Sequence, residues 1–188
     1  DDAHAPRNIA KGRQAVPQFL TAWLLIKAAH VSENPFLDYK YQCELAIDKI
    51  GRERLMSVDR LMADTMLAAF AREGYKNVAQ MRMVLRQAFE YAFDNDYIHK
   101  NPFQKAVAPR TRHRKAIALT DIQRTILLDA ARTEDGMPLL PLWHLESRLA
   151  FRRGETLGLM WSDIDFKRGT ITIQRQRTPV GNATITKD

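Results

Sequence analysis

The sequence predicts a mainly α protein in two parts: a helical bundle, then the start of an α+β domain with a small antiparallel sheet. Three observations predict it. Four segments with apolar residues at helical spacing fill residues 16–94, joined by short connections. A basic stretch carrying Pro102 and Pro109, without that spacing, comes next. Beyond it, helical segments give way to short β-type runs around Gly- and Pro-marked turns.

Residues 1–14 are polar and mixed, and are expected to form a tail or the end of an upstream segment. Asp1-Asp2-Ala3-His4 has no initiator Met and no signal-peptide pattern. From Val16 to His30, Phe19, Leu20, Trp23, Leu24 and Ile26 mark the first helix, with Pro17 tolerated in its first turn. Asn34-Pro35 restarts the chain, and Leu37, Tyr41, Leu45 and Ile47 predict a second helix ending near Gly51. Residues 59–72 repeat the pattern with Leu61, Met62, Met66, Leu67 and Phe70, closed by Gly74. The fourth helix, 76–94, puts Val78, Met81, Leu85, Ala88, Phe89 and Ala92 on one face. Lys76, Gln80, Arg82, Arg86 and Gln87 lie on the other.

In the second part, Thr120-Asp121 is a good N-cap before Ile122, Ile126, Leu127 and Ala130, predicting a helix to about Arg132. Residues 138–159 read as helical in two pieces. Strands are expected at 163–166 and 171–174 around the turn Lys167-Arg168-Gly169. A third, 184–186, follows a turn at Pro179-Val180-Gly181-Asn182. A sheet at its third strand with no helix after it suggests a domain that continues past Asp188.

Of 188 residues, 45% are hydrophobic and 27% charged, too apolar for a disordered chain. No apolar run of about 18 residues exists to span a membrane. The single cysteine, Cys43, excludes an internal disulfide and a Cys-rich zinc site, and reads as an inert core thiol in a reducing compartment. His4, His30, His99 and His113 lack metal-site spacing, and Trp143 and His144 read as packing residues.

The net charge is +7, with 29 Lys and Arg against 22 Asp and Glu. Between Tyr97 and Thr120 stand Lys100, Lys105, Arg110, Arg112, Arg114 and Lys115 with no acidic residue. Two readings stay open. The run is a solvated linker, or it is a strap along a phosphate backbone, each cation releasing counterions. On the fourth helix, Arg82 and Arg86 are one turn apart and could reach phosphates or the major groove; a solvated face is the equal alternative.

The most informative stretch is Phe151-Arg152-Arg153-Gly154-Glu155-Thr156-Leu157-Gly158-Leu159-Met160-Trp161-Ser162-Asp163-Ile164-Asp165. Arg152 and Glu155 are three apart, so on a helical turn they face the same side. A guanidinium suits forked contact with a phosphate, and a nearby carboxylate can orient it. An isolated pair of this kind also reads as a surface cap at a helix start. Leu157, Leu159 and Trp161 are expected to be core.

This stretch resembles the Arg-x-Gly-Glu-x-Leu-x-Leu-x-Trp-x-Asp-Ile-Asp block of the tyrosine recombinases, the phage-integrase family. Phe89-x-x-Ala92, then Asp96-Tyr97-Ile98-x-x-Asn101-Pro102-Phe103, resembles the end of that family's core-binding domain. Leu119-Thr120-Asp121 with Ile126-Leu127 and Ala130-Ala131 resembles the opening of its catalytic domain. Three blocks in order are more specific than any one. One departure is visible: the family usually has Thr-Gly before the arginine, where this chain has Leu149-Ala150-Phe151.

The resemblance implies a core-binding helical domain over 15–104, a basic linker over 105–116 and the N-terminal part of a catalytic domain over 117–188. It implies a site-specific recombinase that cleaves and rejoins DNA through a 3′-phosphotyrosyl bond, needing neither metal nor ATP. Arg152 matches the arginine that clamps the scissile phosphate, and Glu155 the acidic residue supporting it. Lys187 is the candidate for the lysine that protonates the leaving 5′-oxygen, with Lys167 the weaker option. The nucleophilic tyrosine and a His-x-x-Arg block are expected beyond residue 188, since Tyr39, Tyr41, Tyr75, Tyr91 and Tyr97 all lie in the helical part. Implied partners are duplex DNA attachment sites and further copies, four protomers on two duplexes, with no membrane, in a bacterial cytoplasm. The rival from another class is a non-catalytic DNA-binding relative; a basic scaffold for an acidic protein is more distant.

Overall fold

Helical periodicity in the first half becomes five helices in the computed structural model, which describes residues 9–110, 117–132, 140–178 and 183–184. They are α1 (Ile9–Gly12), α2 (Val16–Ala28), α3 (Glu33–Ile50), α4 (Arg60–Arg72) and α5 (Val78–Asp94), with a 3-10 turn at Leu55–Ser57. The chain divides into two units, Asp1–Arg114 and Lys115–Asp188.

Each start has a local cause. Pro17 sits in the first turn of α2, where no donor is lost. Asp59 caps α4, its Oδ1 accepting from the Met62 N–H at 2.7 Å. Gly74 takes φ 86° beyond the end of α4, a turn that a Cβ would strain. All six apolar positions expected on the inner face of α5 are buried, with Val84 beside them. Val78, Met81, Leu85 and Phe89 each contribute about 1.5–3 kcal/mol of burial. Phe89 anchors the face, its ring 6.1 Å from Phe19 and 4.9 Å from Phe103. Cys43 lies in the same core. Burial, with Glu44 adding, pushes its thiol up to about 12, so it is unreactive as expected.

Three expectations for this unit change. Residues 9–14 are not a loose tail: Leu55 N–H donates to the Gln14 carbonyl at 2.9 Å, and Ala15 bridges Arg54. In α3 the buried stripe is Gln42, Cys43, Ala46 and Ile50, while Leu37 and Tyr41 are exposed. Tyr39, not Tyr41, faces inward, edge-on to Trp23 at 5.8 Å, which rotates the helix relative to the apolar count. Finally, burial continues past the expected 15–104 domain: Ile98, Asn101 and Phe103 are buried within it, and so is Ala106 in the expected linker.

The second unit holds α6 (Asp121–Arg132), α7 (Leu140–Leu149) and α8 (Arg153–Gly158), then a 3-10 turn at Trp161–Asp163. The expected cap of α6 forms reciprocally: Gln123 N–H donates to Thr120 Oγ1 at 3.3 Å, and Thr120 N–H donates to Gln123 Oε1 at 3.0 Å. The expected pairing around the Lys167-Arg168-Gly169 turn is present, while a second, separate ladder uses a strand at 176–177 that was not expected; residues 185–186 of the third expected strand lie outside the described residues. β1 (Ile164–Asp165) pairs β2 (Thr170–Ile171), and β3 (Gln176–Arg177) pairs β4 (Ala183–Thr184). Asp165 Oδ1 accepts from the N–H groups of Lys167 and Arg168, and Gly169 at φ 66° completes the β1–β2 turn.

Burial here departs from expectation. Leu157 is 42% exposed and Trp161 82%, because α8 turns Glu155, Thr156 and Gly158 inward instead. On α6, Ile122 and Ile126 are exposed while Leu128 is buried; Leu128 is the one buried hydrophobic of this unit among the described residues. Trp143 is also partly exposed, at 38%. No helix among the described residues is long and apolar enough to cross a membrane.

Candidate functional site

The turn into α8 is built around one carboxylate. α7 stops at Leu149, Ala150 takes φ 56°, and Arg152 is the extended N-cap residue of α8. Ala150 holds a left-handed backbone without a glycine, in the Leu149-Ala150-Phe151 stretch where the family resemblance usually has Thr-Gly. The Arg152 N–H donates to Glu155 Oε2 at 2.9 Å, and the Arg152 Nη1 donates to Glu155 Oε1 at 3.0 Å. The Thr156 N–H and Oγ1–H both donate to the Arg152 carbonyl, at 3.0 and 3.2 Å.

The side chain of Glu155 is 10% exposed and that of Arg152 84%. The carboxylate therefore works from beneath, holding a guanidinium whose bulk stands in water. The main-chain N–H of Arg152 and then its guanidinium hold the Glu155 carboxyl below its ordinary value, against the opposing effect of burial. The pair stays ionised at neutral pH. It presents a cation of fixed orientation suited to forked contact with an anion.

Behind this turn lies β3. A Cβ on Gly154 would come within 3.0 Å of the Arg177 carbonyl oxygen, and one on Gly158 would meet the Arg175 carbonyl at the same distance. The two glycines let the strand lie directly against α8. The approach is secured by Asp163, whose buried carboxylate accepts from the Met160 N–H at 2.8 Å and pairs with Arg175 Nη1. The Asp163 carbonyl accepts from the Thr172 N–H at 2.9 Å. Arg175 was not singled out by sequence. The acidic Asp163, following Leu157, Leu159 and Trp161 that were read as core, was the available signal.

The remaining candidates fall differently. Arg82 does not stand free on α5: its Nε donates to the Ala106 carbonyl at 2.6 Å and its Nη2 to Gln104 at 3.2 Å. It clips the exit segment to the helix. Asn101 does the same from the other side, its Nδ2 donating to the Arg86 carbonyl at 2.9 Å and to Glu90 Oε2, while its Oδ1 accepts from Phe103 N–H. Val107 N–H donates to Asp64 Oδ1 at 2.8 Å. Arg86, Lys100, Lys105 and Arg110 are exposed. Arg112, Arg114, Lys115 and Lys187 lie outside the described residues. Lys167 is exposed in the β1–β2 turn. Among the described residues no three His, Cys, Asp or Glu side chains are grouped to hold a metal.

With this geometry in hand, the chain can be compared with known proteins. No family model matches it. It is 32% identical over 105 residues to a XerC-like tyrosine recombinase of Caldanaerobacter subterraneus subsp. tengcongensis, covering 53% of this chain and 26% of that protein. It is 34% identical over 92 residues to the defective protein IntQ of Escherichia coli K12, covering 48% and 22%. The chain thus spans about a quarter of the length of these relatives. Its fold matches the Tn1549 transposon integrase in complex with a circular intermediate DNA, with a TM-score of 0.73 at 22% identity, over 93% of this chain and 58% of that one. It also matches a lambda integrase dimer bound to a core site, with a TM-score of 0.77 at 19% identity, over 96% and 51%.

Proposed function

We propose that this chain, a member of the tyrosine recombinase/integrase family, grips duplex DNA as part of a site-specific recombinase and presents Arg152 to the phosphate at which strands are exchanged. The observation that carries this reading is the exposed Arg152 guanidinium tied through both its main chain and its side chain to the buried Glu155 carboxylate. Arg152 donates to the non-bridging oxygens of a DNA phosphate. As a nucleophile adds, those oxygens gain charge, and a cation already oriented stabilises that state without reorganising. Glu155 positions Arg152 and does not touch the phosphate.

In the reaction proposed for the whole protein, a tyrosine oxygen forms a bond to phosphorus. The bond to the 5′-oxygen breaks, and that oxygen takes a proton, for which Lys187 is the proposed donor. The five tyrosines of this chain are not proposed as the nucleophile. All belong to the first unit, where Tyr39 and Tyr75 donate to Gln87 and Gln42 and Tyr97 accepts from Lys11. Residues 1–188 are therefore proposed to bind DNA without cutting it. By the same reading, residues 15–104 form the core-binding domain and 117–188 the opening of the catalytic one. The basic residues from Lys100 to Lys115 lie along the DNA backbone. The partners are attachment-site duplexes and further copies of the protein, at the nucleoid of a bacterial host. A lambda integrase tetramer bound to a Holliday junction has a similar fold, with a TM-score of 0.76.

The test is a nicked suicide substrate carrying a core site. Residues 1–188 shift the duplex but leave no covalent adduct; an adduct would refute the division of labour. One observation favours a second reading, a DNA-binding relative without catalysis: Ala150 at φ 56°, immediately before the arginine turn. The two part in the whole polypeptide. Under the first, it cleaves and Arg152→Ala abolishes cleavage while binding persists. Under the second, it binds without cleaving at all.

A further inference from the structure

Three cations from two separated stretches of sequence line one small cavity in the first unit, and a fourth, Lys11, contacts its lining residue Tyr97. The cavity, of about 280 Å³, opens between the start of α4 and the exit from α5. Arg60, Lys100 and Lys105 stand at its edge, and Val58, Ile98 and Pro102 supply apolar wall. Tyr97 also lines it. Lys11 joins from α1, its Nζ donating to the Tyr97 hydroxyl at 3.4 Å and lying 5.2 Å over the ring. Gly12 makes this possible, since a Cβ there would collide with the Tyr97 carbonyl oxygen.

The charges on this face are only partly offset. Asp59 is the acidic lining residue, and its Oδ1 is already accepting from Met62 N–H as the cap of α4. Arg60 pairs through Nε with Asp64 Oδ2 at 3.4 Å, and its side chain stays 53% exposed. Lys100 and Lys105 are exposed. The positive end of the α4 dipole lies at the same wall, because the helix begins at Arg60.

We propose that this cavity seats a phosphate group, with its attached sugar against the apolar wall. The size limits the ligand: sites for drug-sized molecules run to about 300–1,000 Å³, so a single sugar-phosphate fits where a dinucleotide does not. Lysine ammonium groups act as mobile point charges for phosphate. Two sources share this chemistry, a backbone phosphodiester of DNA and a free phosphate monoester. The first rests on the recombinase reading above and adds Lys11 and Arg60 to the surface gripping DNA; the second does not depend on it.

The experiment is a duplex-binding titration at several salt concentrations with residues 1–188 and the variants Arg60→Gln, Lys100→Gln and Lys105→Gln. Lys49→Gln is the control, removing an equal charge from a residue paired with Glu73 and outside the cavity. Each cavity variant is expected to lower the slope of log K against log salt by about one, with Lys49→Gln matching the parent. Equal slopes in all variants, with the parent binding DNA, overturn the DNA source. A parent without salt-dependent duplex binding fails the recombinase reading, and the cavity is then judged alone. There, thymidine monophosphate and inorganic phosphate are titrated while the amide resonances of residues 98–101 are followed. Saturable shifts lost in the Lys100→Gln, Lys105→Gln double variant support a free-phosphate site. The absence of shifts in both arms overturns the proposal.

Discussion

The Glu155 carboxylate holds Arg152 at two points, one oxygen on its main-chain N–H and the other on its guanidinium. Both contacts are stronger to the ionised carboxylate, so the turn is sensitive to acid. The carboxyl lies below its ordinary value of 4.5 in the folded chain. The stabilisation is therefore complete above about pH 4.5 and is lost as pH falls through the lower folded value. The Arg152 amide resonance, followed in a pH titration, is expected to move with a midpoint below 4.5. Glu155→Gln abolishes that transition, and a midpoint above 4.5 contradicts the arrangement.

Ala150 carries a backbone conformation that costs a residue with a Cβ about 1–2 kcal/mol. It is exposed, so replacing it loses no packing. Ala150→Gly is expected to raise stability by about 0.5–1 kcal/mol after the extra chain entropy of glycine is offset. Gly169→Ala, at φ 66°, changes stability the opposite way by a similar amount. Thermal unfolding of the two variants reads both signs.

Removing Asn101 leaves buried groups without partners. Its side chain bonds the Arg86 carbonyl, the Glu90 carboxylate and the Phe103 N–H, and the residue is 3% exposed. Asn101→Ala is expected to cost about 2–4 kcal/mol in urea unfolding. Asn95→Ala, cutting one exposed bond to the Tyr91 carbonyl, serves as the mild comparison at about 0.5–1 kcal/mol.

Arg175 neutralises a carboxylate that has almost no access to water, the Asp163 side chain being 3% exposed. Arg175→Met strands that charge and is expected to destabilise the second unit by about 3 kcal/mol. Adding Asp163→Asn recovers part of the loss, since an amide can still accept from the Met160 N–H. Hydrogen exchange at the Thr156 amide reports whether α8 loosens with it. No change in exchange in the single variant contradicts the support assigned to β3.

The inner face of α5 was legible because six apolar residues at helical spacing leave one way to bury them. α3 was not: Leu37, Tyr41, Leu45 and Ile47 are apolar enough to suggest a face. The real one, however, includes the polar Gln42, buried because Tyr75 and Asp38 bond it. Arg82 looked like a solvent-facing cation and is instead occupied by carbonyls of residues 22 and 24 positions away. Trp161 looked like core and is exposed, because burial at α8 is spent on Gly158 and Glu155 against β3.

The sequence by itself determined the four longer helices of the first unit, α6 with its Thr120 cap, and the pairing of Arg152 with Glu155. Each depends on residues within about one helical turn, whose relative positions local backbone geometry dictates. Only the tertiary structure decided which cations share a surface. It clipped Arg82 inward, drew Arg60 beside Lys100 and Lys105, and set Arg175 against Asp163. None of these contacts has a local spacing to betray it. They exist because the apolar core of the first unit, and the glycine-lined approach of β3 in the second, bring distant segments to within bonding distance.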